Sequence, residues 1–257
     1  MSAAMPRRVM LVMGGSGSIG SAIVDAAVAA GWAVALHGRR ALPAGEAVMQ
    51  LRERHGAEAP VVSIAGDIEE PGAVEDIVSR AGGWFGRIDA VVDCVSTGPK
   101  ARLTGAFAET EPAAYSGLMD LSVVHFQRLA QAALPWLQRE GGTLIAFSSD
   151  AGRYAAPRQA LIGASRAAII GFVRNLATEV AREGVRVHCL SPSYVQGSAS
   201  MKKLRAQNRE RADALRQKAG LGLPTPEDIA PMALFLCGEG AKRITGQVIS
   251  INGGANA

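Results

Sequence analysis

Aromatic side chains make up only 5% of the chain, with three tryptophans, three tyrosines and six phenylalanines. Bases therefore have little to stack on, and no basic stripe carries interleaved aromatics, so a nucleic-acid partner is not expected. Cysteine is scarcer still. Cys94, Cys189 and Cys237 are odd in number and far apart, and two of them fall in predicted strands. That pattern predicts buried free thiols in a reducing compartment rather than disulfides or a metal site. Neither sign of charge dominates, since 27 Lys and Arg face 23 Asp and Glu, for a net charge of +4. Long hydrophobic runs are missing as well. The run after Arg7 and Arg8 stops at the glycines that follow Met13, too short for a signal sequence. Nor does any later run reach membrane length, so a cytoplasmic chain with no membrane partner is expected.

What is present is a regular alternation. Residues 1–257, 48% hydrophobic, are long enough for one large α/β domain. Runs rich in apolar residues at Val9–Met13, Trp32–Leu36, Val61–Asp67, Ile88–Val95, Gly142–Phe147, Val185–Leu190 and Gln247–Ile251 read as seven strands. Helical stretches separate them: a polar helix over 44–56, one running to about Gly82, and long ones over Pro112–Arg139 and 157–182. Strands alternating with helices predict a doubly wound parallel sheet, Rossmann-like, in a single domain. Ligands of such sheets bind beyond the carboxyl ends of the strands, where the glycine turn, Asp93, Ser149 and Pro192 would meet.

The first strand runs straight into Gly15-x-Gly17-x-x-Gly20, and a helix with Ile19, Ile23, Val24, Ala27 and Val28 on one stripe begins inside that turn. Such a turn lets backbone N–H groups approach a phosphate with no Cβ in the way, at the positive end of the helix dipole. A tight strand-to-helix turn without a ligand would leave the same triad. The second strand leads to His37-Gly38-Arg39-Arg40. Many dinucleotide folds carry an acid about here, roughly 20 residues past the glycines, to hold ribose hydroxyls. Two guanidinium groups suit a 2′-phosphate instead, which favours NADP(H) over NAD(H). Asp67, at the end of the third strand, either accepts from the adenine amino group or caps the next helix.

Over nearly its whole length the chain resembles the short-chain dehydrogenase/reductase family. Met13-Gly-Gly-Ser-Gly-Ser-Ile-Gly20 is similar to the family's TGxxxGxG turn, with Met13 for Thr and Ser18 for the middle Gly. Phe147-Ser-Ser-Asp-Ala-Gly152 resembles its strand-five serine signature, Ser191-Pro192-Ser193 its PG turn, and the stretch from Pro224 to Gly254 its tail. The resemblance implies a small-molecule substrate, a homo-oligomer (tetramer or dimer) and a nicotinamide cofactor. The cofactor set it implies is Gly14, Ser16, Gly17, Ser18, Ile19, Gly20, Arg39, Arg40, Asp67, Ile68, Arg166 and Pro192. Family chemistry uses an Asn, a Ser and a Tyr-x-x-x-Lys pair. Ser149 matches the serine that holds a substrate carbonyl. The tyrosine position, thirteen residues later, holds Ile162, the lysine position Arg166 and the asparagine position Asp120. The family's NNAG becomes Asp93-Cys94-Val95-Ser96.

Isoleucine has no proton to give, and arginine stays protonated, so Arg166 can fix ribose hydroxyls but is a poor relay. The expected catalytic set is Ser149, Arg166, Asp120 and Tyr154. Tyr154 and Tyr194 offer phenols near the site, or simply pack on their loops. Asp120 is expected to pair with Arg166. His125 and His188 read as structural. Met201–Lys218 lies where the family has a substrate-covering helix, within a covering segment over 193–222. Its cations Lys202, Lys203, Arg205, Arg209, Arg211, Arg216 and Lys218 either attract an anionic substrate or form a solvated face. The function expected is an NADP(H)-dependent oxidoreductase with an atypical site, acting on a carbonyl or activated alkene. A cofactor-binding protein without turnover, and a non-redox isomerase or lyase, are the alternatives.

Overall fold

Seven runs become seven strands in the computed structural model, which describes residues 7–95 and 103–256, with the side chains of Leu42 and Pro43 left aside. Ser96, part of the expected loop after the fourth strand, lies outside the described residues. The strands are β1 (Val9–Met13), β2 (Ala33–Gly38), β3 (Val61–Ala65), β4 (Ala90–Asp93), β5 (Thr143–Phe147), β6 (Arg186–Pro192) and β7 (Val248–Ile251). They form one sheet in the order β3-β2-β1-β4-β5-β6-β7, and every neighbouring pair is parallel. The order reverses between β1 and β4, and this switch point opens a crevice at the carboxyl ends of the strands.

Both faces are covered, which is why β1 and β2 are apolar or neutral and buried along their whole length. On one face α3 (Ala73–Phe85), α5 (His125–Leu137) and α6 (Ala160–Glu179) enclose a core around Phe126, Leu129 and Ile169. On the other, α1 (Ser18–Ala29), α2 (Ala41–His55) and α9 (Pro226–Cys237) pack through Ile23, Val24, Leu51 and Ile229. A satellite cluster of Met201, Leu204, Ala212 and Leu223 seats α7 (Ala199–Gln207) and α8 (Arg209–Lys218) on the tail residue Ala255.

Several boundaries differ from the sequence expectation. The stretch read as one helix over 112–139 breaks into a 3-10 turn (Pro112–Ala114), α4 (Tyr115–Met119), a π turn (Asp120–Val124) and α5. The stretch read as one helix over Met201–Lys218 is two helices, because Asn208 ends α7 and caps α8, its Oδ1 accepting from Arg211 N at 2.8 Å. Strand β2 extends two residues beyond expectation, so His37 and Gly38 belong to the sheet. Among the cysteines only Cys189 lies in a strand; Cys94 follows β4 and Cys237 ends α9, and all three are free thiols. Helix α6 does have the length and composition of a membrane span, contrary to the expectation that no segment does. Its Ser165, Ile169, Val173 and Leu176 are buried in the sheet's core, so it serves here as a core helix.

Candidate active site

At the switch point the glycines meet two separate demands. A Cβ at Gly20 would lie 2.3 Å from Gly14 O, and one at Gly15 2.8 Å from Leu36 Cγ, so these two are required by the turn itself. Gly14 has φ +67 and its carbonyl accepts from Gly17 N at 2.9 Å. Gly17 is exposed and precedes α1 with no side-chain cap, which leaves first-turn N–H groups of a twelve-residue helix facing outward. Ser16 and Ser18 are exposed, Ile19 half-buried and Gly20 buried. Ser16 Oγ lies against Gly38, where a Cβ would be only 2.9 Å away, and exposed Arg39 and Arg40 follow directly. Serine hydroxyl, guanidinium pair and uncapped helix start thus share one corner, a donor set that fits a phosphorylated dinucleotide.

Asp67 and Ile68 sit half-buried just past β3. Asp67 does not cap the following helix: Gly72 does that, and Asp67 Oδ1 accepts from Glu69 N at 3.2 Å. Pro192, at the end of β6, is buried on the far side of the crevice.

The other end of the candidate site lies where β5 meets α6. Ser149 follows β5 half-buried, and its Oγ accepts from Ala151 N at 3.4 Å, capping a short turn over Asp150–Gly152. That turn presses on α6: a Cβ at Gly152 would lie 2.7 Å from the Arg166 backbone, and one at Gly163 2.7 Å from Ala151 O. Ser148 Oγ donates to Arg166 O at 3.0 Å, while Arg166 Nη1 donates to Phe147 O at 3.3 Å. Ser149 and Arg166 are therefore brought together. Burial pulls the Arg166 guanidinium below its usual pKa, and the charge of Asp93 opposes that pull. Ile162 is half-buried one turn before Arg166.

The expected Asp120–Arg166 ion pair is not formed among the described residues. Asp120 opens the π turn and is exposed, and the carboxylate whose charge acts on Arg166 is buried Asp93. Asp93 Oδ1 in turn takes His125 Nε2 at 3.3 Å and Val95 N at 3.2 Å. Tyr154 lies half-buried in the loop after Ser149, under the Arg153 guanidinium at 5.2 Å, and Arg153 hydrogen-bonds Ser250 Oγ. Tyr194 packs against the cluster beneath α7 and α8. The cations of those helices are on their outer face: six are exposed and Arg211 is half-buried, while Met201, Leu204 and Ala212 point inward.

Three features of the site were absent from the sequence expectation. His37 bridges the glycine turn and the end of β3, Nδ1 accepting from Gly14 N at 3.1 Å and Nε2 donating to Gly66 O at 2.9 Å. The Asp93–His125 pair is the second. The third is buried Asp150, beside Ser149, whose Oδ2 accepts from Asn252 Nδ2 at 2.8 Å and Asn256 Nδ2 at 2.9 Å. Asn256 Oδ1 also accepts from Lys218 Nζ at 2.6 Å, so the tail ties α8 to the serine turn. A lone histidine closing an apolar strand was the one readable signal for His37; the asparagines gave none.

A sequence profile of the family described as Enoyl-(Acyl carrier protein) reductase matches residues 14–256. The chain is 31% identical over 254 residues to an L-fucose dehydrogenase of Mus musculus, covering 96% of this chain and 88% of that one. It is 27% identical over 250 residues to the peroxisomal 2,4-dienoyl-CoA reductase of Saccharomyces cerevisiae, covering 96% and 83%. Among solved structures, a short-chain oxidoreductase of Pseudomonas aeruginosa PAO1 described as containing an atypical catalytic center is 27% identical. It superposes with a TM-score of 0.86 over 96% of both chains.

Proposed function

The chain belongs to the short-chain dehydrogenase/reductase family, and on that premise we propose an NADP(H)-dependent oxidoreductase that saturates an alkene conjugated to a carbonyl. The observation that carries this reading is Ile162, a hydrocarbon one turn from Arg166 on a helix stitched to the Ser149 turn, beside an intact phosphate corner. When bound, the reduced dinucleotide supplies the hydride. Ser149 Oγ–H donates to the substrate carbonyl oxygen and steadies the negative charge that collects there as the β-carbon is reduced. The α-carbon then takes its proton from water, so no phenol is required at position 162. A saturated ketone lacks this outlet, because its alkoxide must be protonated as it forms. The Saccharomyces cerevisiae relative, named as a dienoyl-CoA reductase, agrees with an alkene substrate.

Gly14, Ser16, Gly17, Ser18, Ile19 and Gly20 hold the pyrophosphate in this reading. Arg39 and Arg40 take the 2′-phosphate, Asp67 and Ile68 face the adenine, and Arg166 and Pro192 frame the nicotinamide ribose. Residues 193–222 cover the substrate within a single domain. Tyr154 lines the entrance as an Arg-stacked side chain, and Asp120 stays with solvent. A homo-oligomer fits α6, whose exposed small residues Ala164, Ala167 and Gly171 leave room for another helix to approach closely. Three free thiols agree with a reducing compartment such as the cytoplasm.

Mixing the protein and NADPH with a matched enone and saturated ketone tests the reading through the near-ultraviolet absorbance of NADPH. The enone is expected to consume NADPH and the ketone to leave it unchanged. Equal rates on both would overturn the alkene assignment, and no turnover with tight NADPH binding would favour a cofactor sensor.

A further inference from the structure

His37 is buried, and both of its ring nitrogens are occupied by backbone groups whose chemistry leaves no choice of tautomer. Gly14 N–H can only donate and Gly66 O can only accept. Nδ1 must therefore be bare and Nε2 must carry the hydrogen, which makes the ring neutral. We propose that neutral His37 is a positioning residue for the dinucleotide, clamping the glycine turn to the end of β3 so that NADP(H) binding requires the imidazole uncharged. The inference rests on the NADP(H) reading above and adds a residue that never touches the phosphates.

The chain of contacts is short. His37 takes Gly14 N at 3.1 Å, Gly14 O takes Gly17 N at 2.9 Å, and Gly17 is the residue that opens α1. Met13, just before the turn, offers no polar side chain, so the hold on Gly14 comes across from β2. The other ring nitrogen, at 2.9 Å from Gly66 O, fixes the residue preceding Asp67. One imidazole thus sets the spacing between the phosphate turn and the adenine side of the crevice.

A second proton would place an N–H on Nδ1, facing the N–H of Gly14. Two donors then oppose each other and the clamp opens on the side of the phosphates. The surroundings hold that state off. Burial lowers the His37 pKa most, and His125 on α5 adds to it. Asp93 at the end of β4, Asp67 after β3 and the Gly66 bond work the other way, and the net direction is below the usual 6.5. NADP(H) affinity should accordingly be level at neutral pH and fall as the medium is acidified below 6.5.

Calorimetric titration with NADP+, from about pH 7.5 to about pH 5, tests this in the wild type, His37→Asn and His37→Leu. Asparagine keeps an acceptor towards Gly14 and cannot titrate. It is expected to bind NADP+ near wild-type strength at neutral pH and to lose less affinity than the wild type on acidification, keeping only the loss caused by protonation of the 2′-phosphate at about pH 6. Leucine should bind about tenfold more weakly than the wild type at neutral pH, the worth of one buried hydrogen bond, and should share the asparagine variant's pH profile. Nitrogen-15 NMR of the cofactor-free protein reads the clamp without any ligand, and should show an unprotonated Nδ1 and a protonated Nε2 at neutral pH. Identical pH profiles in all three proteins, or a protonated Nδ1, would overturn the clamp. Absence of NADP+ binding in all three overturns the cofactor reading instead, and the NMR spectrum still decides the tautomer.

Discussion

Ketone reduction is expected to rise by a factor of about 10² to 10⁴ when Ile162→Tyr is combined with Arg166→Lys, the range that one general acid supplies. The two positions are four apart on α6, so their side chains leave the same face one turn from each other. That face meets the turn that carries Ser149, since Ser148 Oγ is bonded to Arg166 O and Gly152 lies on the Arg166 backbone. A phenol at 162 therefore arrives near the Ser149 hydroxyl, which holds the carbonyl in the proposed reaction. Lysine at 166 matters because an ammonium can lower the phenol's pKa and relay its proton, whereas a guanidinium stays charged. The contacts of Gly152 are with the backbone and Cβ of Arg166, so the exchange leaves that packing in place. Each single substitution should give much less than the pair. NADPH oxidation with a saturated ketone checks it; NADPH binding retained with no gain in the double variant would contradict the missing-acid account.

Stability is expected to fall by about 3 kcal/mol as the pH drops from 6.5 to about 4, because of a single buried histidine. His188 sits in β6 fully shielded from solvent, and neither ring nitrogen completes a hydrogen bond; the Ile244 backbone comes near without closing one. Burial first, and then the Arg186 charge, push its pKa down to about 4. The unfolded chain titrates near 6.5, so between these values the unfolded state binds the extra proton and is favoured. Above pH 7 both states are neutral and the residue contributes no pH dependence. Urea unfolding of the wild type and His188→Leu across this range measures the effect. The variant should lose the acid-sensitive component and be at least as stable at neutral pH, since an unsatisfied polar ring has become hydrocarbon. Parallel curves for the two proteins would place the acid sensitivity elsewhere.

The sheet was legible because its strands read as short runs rich in apolar residues, and the glycine turn because its spacing is local. The breaks in 112–139 were not, since a π turn inserts a residue without changing the composition around Asp120. The ion pair was missed because Asp120 is exposed, while the charge that acts on Arg166 is that of Asp93 on a different element. His37 was read as part of a turn because a strand buried on both faces shows no alternation to mark where it ends. Asp150 was out of reach for another reason. Its donors, Asn252 and Asn256, follow it by 102 and 106 residues, and only the fold brings them together.

The proposed function rests on a phosphate corner at the glycine turn that holds NADP(H) beside Ile162, which has no proton to give. Calorimetric titration of the purified protein with NADPH and NADH, repeated on Arg39→Ala/Arg40→Ala, tests it most directly. NADPH should bind well below millimolar concentration and more tightly than NADH, and the double variant should lose that preference while NADH binding stays as it was. No heat from NADPH at millimolar concentration, or a preference that survives without both arginines, would contradict it.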